Sequence, residues 1–323
     1  MQAIVHERYG IEALELREVQ QPVIEDHQVL VRVHASSVNP AEWYGVTGPY
    51  FARLFGGGLR KPKSAAVGAD LAGRVEAVGK DVEDFHPGDD VFGTSGGSWA
   101  AEYAPAREVR LVRKPANVSF EEAAAVPIAA LTALQALRDV GRVQPGQKVL
   151  VNGASGGVGT YAVQLAKALG ADVTAVCSTR NVDLARSLGA DRVVDYTKKD
   201  FTQLGERHDL MLDIAGSRPF RQFRRVLTPE ATVVVIGAKF PSTGGIGPLS
   251  HVIGTRVASL GRSQTVKFFV AKIEKDDLAV LAELLASGKV RSVIDRRFEL
   301  SEAADALRYL GEGHARGKVV LTT

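Results

Sequence analysis

The chain has 323 residues, a formal net charge of +3, 45% hydrophobic and 24% charged residues. That length predicts about two domains and a core large enough to stand without staples. The 40 Lys and Arg are scattered among 37 acids, which excludes a nucleic-acid-binding face or a polybasic membrane face. The one cysteine, Cys177, excludes an intramolecular disulfide framework and a multi-cysteine zinc site. Met1 to Arg8 carries no apolar signal-peptide core, and no run approaches the roughly 18 apolar residues of a membrane span. A cytoplasmic protein is the expectation.

The first third reads as strands. Residues 28–35 alternate, with Val29, Val31 and Val33 on one face and Arg32 and His34 on the other. Short β-rich runs follow at 71–78, 90–92, 101–104 and 109–112. Val78-Gly79-Lys80, His86-Pro87-Gly88-Asp89 and Gly96-Gly97-Ser98 separate them as turns. This pattern predicts an all-β module, a small barrel. Near Phe120 the composition changes. Residues 121–137 read as one helix, with Ser119 as N-cap and Glu122 completing a capping box. Strands at 148–151, 173–177, 192–195, 209–214 and 232–236 then alternate with helices at 158–169 and 182–188, the latter two stopped by Gly170 and Gly189. Alternation at this spacing predicts a parallel, doubly wound sheet. Helices at 277–286 and 301–310 and a strand at 318–321 make a tail too short for its own domain, so it is expected to rejoin the first module. The expected fold is α/β, with one discontinuous β-barrel domain over 1–122 and 272–323 and one dinucleotide-binding domain over 123–271.

The most informative stretch is Lys148-Val-Leu-Val-Asn-Gly-Ala-Ser-Gly-Gly-Val-Gly159. A buried strand runs into a glycine loop and then a helix, which suits a pyrophosphate: glycines let the backbone approach it, and the helix N-terminus offers free N–H groups. Ala154, Ser155, Gly156, Gly157, Val158 and Gly159 are the candidate binding residues, although Ala154 replaces the first glycine of the strict G-x-G-x-x-G pattern. An NAD site usually carries an acid about 20 residues past the loop. Here stand Cys177-Ser178-Thr179-Arg180-Asn181. Arg180 suits a 2′-phosphate, with Ser178 and Asn181 as hydrogen-bond donors, and NADPH is the expected cofactor.

Six segments together carry a resemblance: Ser37-Val38-Asn39-Pro40, Gly68-Ala69-Asp70-Leu71-Ala72-Gly73, Pro87-Gly88-Asp89-Asp90-Val91, Ala101-Glu102-Tyr103, the glycine loop and Gly317-Lys318-Val319-Val320. Over essentially its whole length the chain resembles the medium-chain dehydrogenase/reductase superfamily, in its zinc-independent quinone oxidoreductase (zeta-crystallin-like) branch. The resemblance implies a GroES-like β-barrel domain, a Rossmann domain and a cleft between them. Zinc-dependent relatives carry a Cys ligand near position 39 and Gly-His-Glu where Gly68-Ala69-Asp70 stands. This chain offers neither, and no metal is expected.

The resemblance further implies that Asn39 lies beside the nicotinamide, that Thr132 meets its ribose, that Tyr196 lies near the adenosine phosphate, and that Gly237 and Ala238 end a strand against the cofactor. A turn cap, a back-bonded helix Thr, a surface aromatic and a plain turn are the bland readings of the same positions. Trp43, Tyr44, Tyr50, Phe51 and Phe55 crowd one loop before Gly56-Gly57-Gly58 and suggest the wall of a substrate pocket. Residues 241–248 read as a second loop at its mouth. The expected chemistry is hydride transfer from NADPH to a quinone or α,β-unsaturated carbonyl, with Asn39 or Tyr44 stabilising the developing oxyanion. An enone double-bond reductase without quinone activity and a non-catalytic NADPH-binding protein remain alternatives. By analogy a homodimer is expected, with residues 255–260 as the pairing edge strand.

Overall fold

The computed structural model describes all residues except 55–57, 63–68, 96–99 and 241–248. Phe55, Gly56, Gly57, Gly68, the turn Gly96-Gly97-Ser98 and the loop 241–248, each singled out above, lie outside the described residues. The chain divides into two compact units, Met1–Leu131 with Ile273–Thr323, and Thr132–Lys272.

In the first unit, β1 (Gln2–Val5) pairs antiparallel with β2 (Glu15–Glu18). The 11-residue strand β3 (Gln28–Val38) is the spine. It pairs antiparallel with β4 (Asp70–Val78) and with β6 (Tyr103–Arg107); β4 continues to β5 (Asp90–Thr94), and β5 to β7 (Leu111–Arg113). The alternating valines of β3 bury Val29, Val31 and Val33 against Leu71, Val75, Phe85, Val91 and Leu111. Removing such side chains from water, at about 25 cal/mol per Å² of apolar surface, is the main force holding these strands.

The Asn39-Pro40 step opens a helix, α1 (Pro40–Thr47), followed by a short turn, α2 (Tyr50–Ala52). Trp43, Tyr44, Tyr50 and Phe51 therefore sit on helical turns and not on a loop. Pro40 is suited to the first helical position because its missing N–H has no partner there anyway, and Gly48 (φ 58°) ends the helix. The single helix expected over 121–137 is two: α3 (Phe120–Ala124) and α4 (Pro127–Gln135). Pro127 offers no N–H and crowds the preceding turn, so the helix restarts at it. The Ser119 cap holds as expected, its Oγ accepting from Glu122 N–H at 3.1 Å.

The second unit is a six-stranded parallel sheet in the order β10-β9-β8-β11-β12-β13. The strands are β8 (Lys148–Asn152), β9 (Asp172–Cys177), β10 (Arg192–Asp195), β11 (His208–Asp213), β12 (Leu227–Val235) and β13 (Thr265–Phe268). Between them run α5 (Gly157–Ala168), α6 (Val182–Ser187), α7 (Phe220–Phe223) and α8 (Leu249–Ala258). Counted from β8, this is the 3-2-1-4-5-6 order of a doubly wound dinucleotide fold, and the order reverses between β8 and β11. Leu150, Val176, Met211, Phe220, Phe223, Val233 and Val235 pack its core.

The expected edge strand over 255–260 is overturned. Thr255 to Ala258 belongs to α8, and Ser259 and Leu260 form the turn that follows it. Ile253, Val257 and Leu260 recur at a spacing of four and three, which is helical; the strand was expected by analogy alone. Among the described residues the edge strands of this sheet are β10 and β13.

The chain then returns to the first unit through α9 (Lys275–Ala286), β14 (Ile294–Glu299), α10 (Ala303–Gly311) and β15 (Lys318–Thr322). β15 runs parallel to β14 and antiparallel to β3. Among the described residues no helix is long and apolar enough to cross a membrane.

Candidate active site

The glycine loop lies at the carboxyl end of β8. Gly153 carries the left-handed conformation (φ 97°), and its N–H and that of Ala154 both donate to Val176 O, at 3.2 and 3.1 Å. The glycine missing from the pattern at Ala154 is therefore not needed for the turn, and its methyl is fully buried. Gly159 is needed: a Cβ there would stand 2.0 Å from Gly153 O. Gly156, the N-cap of α5, has no side chain to cap the helix, and a Cβ on it would meet nothing closer than 3.8 Å. Ser155, Gly156, Gly157 and Val158 are part-exposed. The result is a glycine-lined helix N-terminus with unused backbone donors, which suits an anionic pyrophosphate.

At the end of β9, Asn181 is 4% exposed and donates from Nδ2 to Ser155 Oγ (2.9 Å) and Ser178 Oγ (3.2 Å). Its Oδ1 is buried with no hydrogen-bond partner among the described residues, a polar atom that a ligand hydroxyl would satisfy. Arg180 is exposed in the turn Thr179–Asn181. Asp195 ends β10. It accepts from Thr179 Oγ1 at 2.6 Å, and that bond lowers its pKa. Tyr196 follows it and is 52% exposed. Thr132, on α4, is half-buried. Gly237 lies against the exit of β11, where a Cβ would fall 2.3 Å from Ile214 O, and Ala238 packs on Gly216. A dinucleotide thus fits the donors and clearances of this edge. Cys177 is buried, and burial with the charge of Asp195 pushes its thiol up to about 11, so it is no nucleophile.

In the first unit the structure gathers a buried ionic cluster. Asn39 is 4% exposed and its amide is engaged at both ends: Nδ2 donates to Asp70 Oδ2 at 2.9 Å, and Oδ1 accepts from Lys318 Nζ. Asp70 is fully buried and also accepts from Ser37 Oγ (2.8 Å) and Ile128 N–H (3.0 Å). Lys318 Nζ lies 3.6 Å from Asp70 and 3.2 Å from Val38 O. Glu42 reaches back to Asn39 N–H at 2.8 Å. Burial, then the nearby charge of Asp70, push its carboxyl up to about 7, while burial pulls Lys318 down. None of these partners except Asn39 was anticipated. Lys318 and Asp70 stand in quoted motifs, but their chemical pairing has no local signal.

Tyr44 is half-buried and packs edge-on against Trp43 (5.2 Å) and Phe51 (5.1 Å). A zinc ion does not fit the Asp70 cluster: it holds no thiolate or imidazole, the carboxylate is already saturated, and an ammonium lies beside it. Among the described residues no three His, Cys, Asp or Glu side chains converge on a common point.

A chain that carries both a sheet-rich module and a 3-2-1-4-5-6 dinucleotide sheet has the make-up of the two-domain dehydrogenases. Residues 25–136 match the alcohol dehydrogenase GroES-like domain and residues 188–321 the zinc-binding dehydrogenase family. The chain is 35% identical to a chloroplastic quinone oxidoreductase of Triphysaria versicolor, covering 99% of this chain and 98% of that protein. It is 33% identical to the chloroplastic NADPH-dependent alkenal/one oxidoreductase of Arabidopsis thaliana, covering 99% and 79% respectively. The solved quinone oxidoreductase of Coxiella burnetii superposes with a TM-score of 0.86 at 30% identity, over 100% of this chain and 99% of that one. The chain belongs to the medium-chain dehydrogenase/reductase superfamily, among its quinone oxidoreductases.

Proposed function

We propose that this protein is an NADPH-dependent reductase of quinones and α,β-unsaturated carbonyls. The observation that carries the reading is the uncapped, glycine-lined start of α5 beside the Ser155, Ser178 and Asn181 cluster, with Arg180 following β9. In this reading the loop amides of 155–159 hold the pyrophosphate, and Arg180 with Ser178 holds the 2′-phosphate. Thr132, Tyr196, Gly237 and Ala238 frame the rest of the dinucleotide. The names of the Triphysaria and Arabidopsis relatives support the acceptor classes. When bound, the cofactor supplies the hydride; the protein supplies position and polarity.

Asn39 is committed to Asp70 and Lys318, so its role is to fix the first turn of α1. Tyr44, whose ring Trp43 and Phe51 hold, is the donor towards the acceptor oxygen. We further propose a homodimer joined along β13, the edge of the parallel sheet.

The test is consumption of NADPH and NADH at the nicotinamide absorbance, against a benzoquinone, a phenanthrenequinone, a simple enone and an alkenal. NADPH is expected to be preferred, and Arg180→Glu is expected to weaken NADPH binding at least about tenfold, or 1.4 kcal/mol, while sparing NADH. Binding of NADPH without turnover of any acceptor would replace the reductase reading with that of a binding protein.

A further inference from the structure

Asp213 ends β11 with its carboxylate fully buried. Oδ1 accepts from Asn152 Nδ2 at 2.7 Å and from Gly216 N–H at 3.2 Å, and Oδ2 lies 2.7 Å from His251 Nε2. Asn152 ends the adjacent strand β8 and immediately precedes Gly153. The carboxylate therefore stands at the strand ends where the sheet order reverses, the edge at which doubly wound sheets bind their ligands. His251 enters from the first turn of α8, and its side chain retains 14% of its surface. An ionised carboxylate only accepts, so Nε2 carries the hydrogen of this pair. Nδ1 makes no hydrogen bond or ion pair among the described residues. A ring held at one nitrogen by a buried carboxylate, with the other nitrogen unbonded among the described residues and at a ligand-binding edge, is the arrangement of a positioned general acid or base.

We infer that His251 is the proton donor of the reaction and Asp213 its positioning residue. The inference rests on the enone reduction proposed above. An enone that gains hydride at its β-carbon becomes an enolate, its C=C π pair displaced towards oxygen. The ketone is reached only when the α-carbon gains a proton. In the imidazolium form both ring nitrogens are donors. The Nδ1–H bond breaks with its pair left on nitrogen, the enolate π pair bonds the proton at the α-carbon, and the neutral ring regains a proton from water. The sum is one hydride and one proton added across the C=C bond. Asn152 and Gly216 already satisfy Asp213 Oδ1, which leaves Oδ2 to hold the imidazole.

The experiment uses the full chain, NADPH and a cyclic enone carrying a methyl group on its α-carbon. NADPH binding is read by fluorescence, turnover by absorbance, and the α-epimers of the product by chiral chromatography. Wild type is expected to give one epimer. His251→Gln is expected to bind NADPH as wild type does, to lose about a hundredfold in kcat, and to give both epimers because water now protonates either face. An unchanged kcat with a single epimer overturns the inference. So does loss of NADPH binding in both His251→Gln and His251→Asn, which would make the ring a support of the cofactor loop. A wild-type chain that reduces no enone overturns the enone half of the proposed function, on which the inference rests, and is seen before any substitution is made.

Discussion

Glu42 retains 8% of its surface and shares its surroundings with Asp70 and Lys318. Burial away from water, and then the second anion that ionising it places beside one ammonium, raise its folded pKa to about 7 from the ordinary carboxyl value of 4.5. Between those two values the folded protein binds a proton that the unfolded chain has released, so stability falls as pH rises through that window. The span corresponds to at most about 3.5 kcal/mol, since each pKa unit is worth about 1.4 kcal/mol. Glu42→Gln keeps an acceptor for Asn39 N–H but has no charge to gain. Urea unfolding at pH 5 and pH 8 is expected to show a decline for wild type and a flat profile for Glu42→Gln. Equal slopes in both would place the titration elsewhere. Nothing in the sequence announced this cluster. Asn39 and Lys318 meet 279 residues apart in the chain, joined only because β15 adds to β3 in antiparallel register. Their types also mislead, because a lone Lys or Glu usually reads as solvated surface.

At the scale of elements, the stretches with a strong local period were legible and those governed by a single residue were less so. The strand, glycine loop and helix at 148–168 could be read because a buried run, turn residues and a helical run follow in order. The break at Pro127 was readable in principle, since proline inside an Ala-rich run forbids one continuous helix. The helix α1 was missed because Asn-Pro marks both a turn and a helix start; what decides is the Glu42 side chain reaching back to Asn39. The strand-to-helix turn supports a prediction of its own. A Cβ at position 159 would stand 2.0 Å from Gly153 O and 2.8 Å from Ala154 Cα, both backbone, so neither can swing aside. Gly159→Ala must push α5 off β8. It is expected to lose at least about tenfold in NADPH affinity and 1–3 kcal/mol of stability, about the cost of overpacking a tight core. Gly156→Ala, with 3.8 Å of clearance, should fold normally, and isothermal titration of NADPH into both variants separates the two effects.

For the whole molecule, the parallel sheet followed from alternation, whereas the return of the C-terminal segment to the first module followed from a tail too short to fold alone and from the family resemblance. Residues 255–260, expected as the pairing strand, are helix and turn, and the sheet ends at β13 on that side. Among the described residues β13 pairs only with β12, leaving its other edge of N–H and C=O groups without a ladder. Soluble proteins rarely leave such an edge bare. Beside it, Val257 is 60%, Leu260 68%, Phe268 48% and Val270 77% exposed. Isolated apolar side chains are ordinary on surfaces, but several on one edge strand and the neighbouring helix are not. A second copy meeting this edge about a two-fold axis would complete the ladder and cover the same side chains in both partners. Sedimentation is therefore expected to give twice the 34.5 kDa chain mass. Phe268→Lys with Val257→Glu is expected to give the single-chain mass while still binding NADPH, because neither residue touches the glycine loop. A wild type that sediments at the chain mass at micromolar concentration would refute pairing through β13.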